Sequence, residues 1–216
     1  MKKSVFLFVL LFVVCQAYAK VQIASVFSDD MVLQANQTIT VWGTACIAES
    51  VTVVPPKRWA KFRLGQEKCL QHPFTGMVTA MDIGNKEDIH PKNKQEVGRR
   101  LALCALNQTY GKNDVICQGP VLNSIVKKGK NLLLTFDHCE GGLKNKDKEK
   151  FVRGFSGVLA NGEEVELSGK IISENTIKIK ASNAKRIRYA YANYPVCPLY
   201  NGEGLPALSF DKEIIE

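Results

Sequence analysis

Cysteine is scarce for the length of the chain: seven in 216 residues, too few for the disulfide-dense scaffolds that dispense with a hydrophobic core. Glycine is limited to 16 residues, which together with 23% charged residues excludes collagen-like and low-complexity classes. After the first fourteen residues no apolar run approaches the roughly eighteen that a membrane-spanning helix requires, and no internal repeat is found. What the chain does contain, 45% hydrophobic residues with 8% aromatics, is enough to fill a globular core. At about 150 residues per domain the length allows one domain or two small ones. The formal net charge of +8 bears on solubility and on encounter with acidic partners rather than on fold.

The first residues read as a leader. Lys2 and Lys3 precede an apolar run from Val5 to Val14, and Ala17-Tyr18-Ala19 supplies small residues for a signal peptidase, so cleavage is expected before Lys20. The predicted location is secreted or periplasmic, with no stable membrane insertion. Cys15 lacks the preceding small residue of a lipoprotein signal, so no lipid anchor is expected. The six remaining cysteines are Cys46, Cys69, Cys104, Cys117, Cys139 and Cys197. Their spacings are irregular, and Cys69 and Cys104 fall at apolar positions of helical patterns, where a free thiol acts as a small hydrophobe.

From Val21 to Val54 short alternating runs with Asn and Gly punctuation predict an N-terminal β lobe, ended by Pro55-Pro56. Trp59, Phe62, Gln66, Cys69 and Leu70 then recur at helical spacing, predicting a helix from about Arg58 to Gln71 that Pro73 stops. Met77 to Met81 is a mostly apolar run with β-branched members, expected as a buried parallel strand with Asp82 at its end. After the polar loop Gly84 to His90, Pro91 suits a first helical position, and Val97, Leu101, Cys104 and Ala105 continue a helix from about Lys92 to Asn107. Beyond it the signals return to β. Val121 to Val126 and Asn131 to Phe136 flank Lys127-Lys128-Gly129-Lys130, Asn161-Gly162 marks a hairpin, and Thr176 to Lys180 and Ile187 to Tyr191 alternate. Lys144 to Lys150 reads as a charged loop.

His90 is the leading catalytic candidate, because an imidazole titrates near neutrality and stands here beside acids at a predicted helix start. Asp88, Glu87 or Asp82 could orient its ring and stabilise its cation; the plain structural reading is a surface histidine with Asp88 as a local cap. His138-Cys139 with Asp137 and Glu140 offers metal-ligand types but no second cluster of matching spacing, so no metal site is assigned. Lys127, Lys128 and Lys130 read as a solvated turn, not as a nucleic-acid surface, since no aromatics interleave with them. Asn36-Gln37-Thr38 and Asn107-Gln108-Thr109 match the glycosylation pattern.

Three ordered blocks resemble one family. Met77-Val78 with Asp82-Ile83-Gly84 through Lys94 looks like the histidine-bearing block of sialate O-acetylesterases, relatives of the SGNH hydrolases. Val26 to Gln34 with Val41-Trp42-Gly43 resembles that family's opening β lobe. Arg188 to Pro195, with Leu199-Tyr200-Asn201 and Gly204-Leu205-Pro206, resembles its C-terminal end. The resemblance implies an α/β chain with a β-rich lobe, a partial SGNH-type (flavodoxin-like) layer flanked by N- and C-terminal β-sandwich-like segments. The expected divisions are a β lobe at 20–54, the histidine-bearing α/β segment at 55–118 and a β-rich segment at 119–216. It further implies hydrolysis of an acetyl ester on sialic acid or a related sugar, with His90 as base, Asp88 or Glu87 as orienting acid, and no cofactor or metal.

The family's serine stands in a Gly-Gln-Ser-Asn block, and no such block occurs here: Gly65-Gln66 is followed by Glu67, and Ser156 in Gly154-Phe155-Ser156-Gly157 lacks a nucleophile-elbow setting. The β-lobe resemblance ends near Val54 and resumes near Trp59. The expectation is therefore an internally shortened relative, either an esterase or a catalytically inactive, sugar-contacting remnant.

Overall fold

Alternation decides the larger part of the architecture. In the run Asn131–Asp137 every second side chain, Leu132, Leu134 and Phe136, is buried, as a half-covered strand requires. The computed structural model describes residues 57–71, 75–88 and 92–215. The predicted leader, the β lobe at 20–54, Pro55-Pro56, Pro73, Cys46, Asn36, His90 and Pro91 lie outside the described residues.

Among the described residues, two α-helices precede nine strands. Helix α1 spans Arg58–Glu67 and continues as a 3-10 turn, Lys68–Gln71, while α2 spans Lys94–Gln108. The strands are β1 (Val121–Lys128), β2 (Asn131–Asp137), β3 (Lys144–Asn145), β4 (Val152–Leu159), β5 (Glu164–Ile171), β6 (Thr176–Lys180), β7 (Ala184–Tyr189), β8 (Leu199–Tyr200) and β9 (Phe210–Glu213). Seven form one sheet in the order β1-β2-β6-β5-β4-β7-β9, and β3 pairs with β8. Every neighbouring pair is antiparallel. The β1–β2 turn falls at the predicted lysine-rich tip, with Gly129 at φ 59°, and the β4–β5 turn at Asn161-Gly162, with Gly162 at φ 84°.

One face of this sheet carries the core. Ile177 and Ile179 of β6, Phe155 of β4, Ile187 and Tyr189 of β7 and Phe210 of β9 join the three β2 residues. Phe155 and Tyr189 lie 4.8 Å apart, and Tyr189 stacks on Phe210 at 5.9 Å. Each such aliphatic or aromatic side chain contributes about 1.5–3 kcal/mol on burial. At Gly169 of β5 a Cβ would stand 2.4 Å from Ile177 Cγ2, so the sheet closes over β6 only because that position has no side chain.

The segment before the sheet departs from expectation. Met77 to Ala80 forms no strand, and Met81–Ile83 is a 3-10 turn; no parallel pair exists among the described residues, so the expected SGNH-type layering is absent from them. The physical reason is local. Among the described residues the run has no neighbouring strand to ladder with, and the Thr79 carbonyl accepts instead from Arg100 Nη1 at 2.7 Å. The second helix also starts later than Pro91 suggested, at Lys94, where Asn93 caps it by accepting from the Glu96 amide at 3.0 Å.

The buried faces of the helices differ from the apolar pattern as well. In α2 the fully covered residues are Arg100 and Cys104, whereas Leu101 is half exposed. In α1 Ala60 is buried while Trp59 and Phe62 remain partly open, and Cys69 is exposed rather than packed.

Candidate functional site

Arg100 explains how the pre-sheet segment is held. Its guanidinium grips Asp82 with two hydrogen bonds, Nη1 to Oδ1 at 2.7 Å and Nη2 to Oδ2 at 2.6 Å, and Nε donates to Glu96 at 2.8 Å. Both partners of the Arg100–Asp82 pair are 3% exposed at the side chain, so the charges are stable only because the pairing is bidentate and closed by further bonds. The Tyr200 hydroxyl donates to Asp82 Oδ2 at 2.8 Å and accepts from Lys146 Nζ at 3.1 Å. Burial alone would raise the Asp82 pKa, but the bonds from Arg100 and Tyr200 outweigh it and hold the carboxyl below its ordinary value. Burial and the hydrogen bond to Asp82 push the Tyr200 hydroxyl well up. The network ties α2 and the Met81–Ile83 turn to β8.

Helix α1 is tied to the sheet separately. Arg63 Nη2 donates to the carbonyls of Ala190 and Ala192, at 3.2 and 2.6 Å, and the Trp59 amide donates to Asn193 Oδ1 at 3.1 Å. Lys57 pairs with Glu164 of β5. Between these two anchored segments lies an open groove of about 650 Å³. Trp59, Phe62, Arg63, Gln66 and Glu67 of α1 line it, as do Met77 to Met81, Gly84 to Asp88, Asn193-Tyr194-Pro195 and Leu208-Ser209.

Its surfaces are chemically mixed. The Trp59 and Phe62 rings meet edge to face at 6.0 Å and 88°, and both remain about 40% open, at 39% and 41%. Burial raises the Glu67 carboxyl pKa, partly offset by Lys212, and burial lowers that of Arg63. Apolar faces beside a few convergent polar groups are what a small-ligand cleft requires.

Of the residues singled out from sequence, Glu87 and Asp88 are exposed and line the groove. The Glu87 amide is fixed by Asn85 Oδ1 at 3.0 Å. Asp82 is engaged elsewhere, with both oxygens on Arg100 and Tyr200. His90 lies outside the described residues. Ser156 belongs to a polar ladder in the sheet: its hydroxyl donates to Glu164 Oε1 at 2.6 Å, and Glu164 in turn pairs with Arg188, which reaches Asp211. It does not line the groove; the described serine that does is Ser209, 5% exposed. No group of three metal-ligating side chains converges among the described residues, those around His138 included. Asn107 lies in α2 with its amide donating to Val115 O at 3.0 Å. No described helix is long and apolar enough to cross a membrane.

Sequence reasoning did not find the α1 wall or Asn193 as groove residues. The signal was present in part: the Asn193-Tyr194-Pro195 stretch falls in a family-like block, and Trp59 and Phe62 recur at the spacing of one helix face.

No family model matches the chain. Over 85 residues it is 36% identical to a sialate O-acetylesterase of Rattus norvegicus, a match covering 37% of this chain and 16% of that protein. Its structure is similar to the crystal structure of a carbohydrate acetylesterase from Xanthomonas citri, with a TM-score of 0.64 and 29% sequence identity, over 73% of this chain and 37% of that one. The chain is thus related to the sialate O-acetylesterase-like esterases, and it spans well under half the length of either relative.

Proposed function

We propose that this chain, as a relative of sialate O-acetylesterase-like esterases, is an exported carbohydrate ester hydrolase module whose groove receives an O-acetylated sugar, sialic acid or one like it. The observation that carries this reading is the groove itself, about 650 Å³ with open aromatic rings on α1 and with Glu87 and Asp88 at its edge. The C–H face of a sugar ring packs on Trp59 and Phe62, while Gln66 and Asn193 offer hydrogen bonds to its hydroxyls. His90 follows Asp88 by two residues in the sequence and is assigned as the general base, with Asp88 as the orienting acid and Glu87 as the alternative. In that role the imidazole takes a proton from the attacking oxygen nucleophile as it bonds the acetyl carbonyl carbon and gives that proton to the sugar oxygen as the sugar–acetyl bond breaks; with water as the nucleophile the products are acetate and the free sugar hydroxyl.

A second reading, sugar contact without turnover, is favoured by one specific observation: the sequence has no Gly-Gln-Ser-Asn block, and the groove serine, Ser209, is almost fully covered. Acetate release from O-acetylated sialic acid, measured beside binding, separates the two. Release that disappears in His90→Ala supports hydrolysis. Binding with no release above the His90→Ala level assigns the chain to sugar contact alone. The absence of both binding and release overturns both.

A further inference from the structure

The stretch between α2 and β1 doubles back on itself. The amides of Thr109 and Tyr110 return to the Ala105 carbonyl, that of Lys112 returns to Leu106, and Gly111 turns the chain at φ 65°. The Asn107 side chain then pins the returning segment at Val115. This turn brings two cysteines together. The Cys104 thiol, 8% exposed, donates to the Cys117 carbonyl at 3.7 Å, thirteen residues on, and both thiols are free. Cys139, by contrast, turns its thiol to the carbonyls of Phe136 and Asp137.

We propose that Cys104 and Cys117 are joined by a disulfide in the exported protein, which staples α2 to the approach of β1. Export is the premise, taken from the Lys2 to Ala19 leader; the proposal does not depend on the sugar. The oxidant is a disulfide, either a small-molecule one such as oxidised glutathione or that of a thiol oxidoreductase. Cys117, the less buried of the two, attacks as the thiolate: its sulfur bonds one oxidant sulfur, the oxidant S–S bond breaks, and one thiol leaves. Cys104 then loses its proton and attacks the Cys117 sulfur, forming the internal bond and releasing the second thiol. The pair gives up two electrons and two protons, and the oxidant is reduced to two thiols. Burial, with the neighbouring Cys117, pushes the Cys104 thiol up to about 12, which suits it to the second step rather than the first. The bond would fix the helix that presents Arg100 to Asp82, and through them the Thr79 wall of the groove.

The test uses the full chain secreted into an oxidising compartment, alkylated without reduction, deglycosylated and cut with trypsin. Lys112 lies between the two cysteines, so the expected product is peptide 101–112 covalently joined to peptide 113–127, separating on reduction. Alkyl groups on both cysteines, or either one paired with a different cysteine, overturn the proposal. A reductant should also lower the thermal midpoint of the exported chain, while Cys117→Ser starts lower and does not respond to it. An unchanged wild-type midpoint contradicts the stapling role.

Discussion

Arg100→Met removes the guanidinium that closes the buried network, and its cost can be worked from the contacts. Asp82, 3% exposed at its side chain, would keep only the Tyr200 hydroxyl, and the Thr79 carbonyl would lose its donor. Breaking one side of a buried pair costs about 3–5 kcal/mol, because the remaining charge stays desolvated. At about 2–4 °C per kcal/mol for a domain of this size, the thermal midpoint should fall by about 6–20 °C. Urea unfolding followed by circular dichroism gives the free energy directly. Asp82→Asn and the Arg100→Met/Asp82→Asn double variant complete a cycle, in which the double variant should be more stable than the sum of the single losses predicts. The pH dependence has a defined sign. The folded Asp82 pKa lies below its ordinary 3.8, so its contribution is fully present above about pH 4 and is lost as pH falls through the folded value; Arg100→Met should flatten that acid limb. A loss under about 1 kcal/mol, or strict additivity in the cycle, would refute the reasoning.

Ile187→Ala, at a fully buried β7 position, should cost about 2–5 kcal/mol in urea unfolding, whereas Leu101→Ala on the open side of α2 should stay within about 0.5 kcal/mol. Gly154 sits at φ 87°, and a Cβ there would stand 2.3 Å from the Val196 carbonyl oxygen; Gly154→Ala should therefore lose more than about 1 kcal/mol, read by the same assay. In the reduced protein at neutral pH, exposed Cys69 should react first among the described cysteines with an aromatic disulfide reagent. Cys139, raised to about 11 by burial and the neighbouring acids, and Cys197, raised to about 12 chiefly by burial, should react slowly.

The strands were the most legible part of the sequence because a half-buried sheet writes its own alternation. Thr176 to Lys180 and the two hairpin turns fall where the pattern put them. Helix existence was legible too, but not which side is buried. Arg100 is covered and Leu101 is not, since a charge can enter the interior when a carboxylate waits for it, and Asp82 lies eighteen residues away in the chain. Met77 to Met81 misled for a related reason: an apolar run states that it will be covered, not whether a neighbouring strand exists to pair with it. Glu87 and Asp88, singled out in the sequence by their place before His90, line the groove. The aromatic wall of α1 was not, because the 3.6-residue spacing of Trp59 and Phe62 looks the same whether the stripe faces a core or a groove.

The most direct test of the account is an amide and indole NMR titration of the chain with O-acetylated sialic acid. Shifts centred on the Trp59 indole, Gly84 and Asn193, abolished by Trp59→Ala, are the predicted result. Saturating sugar that leaves these signals unmoved, or that moves only the Lys127 to Lys130 tip, would contradict it.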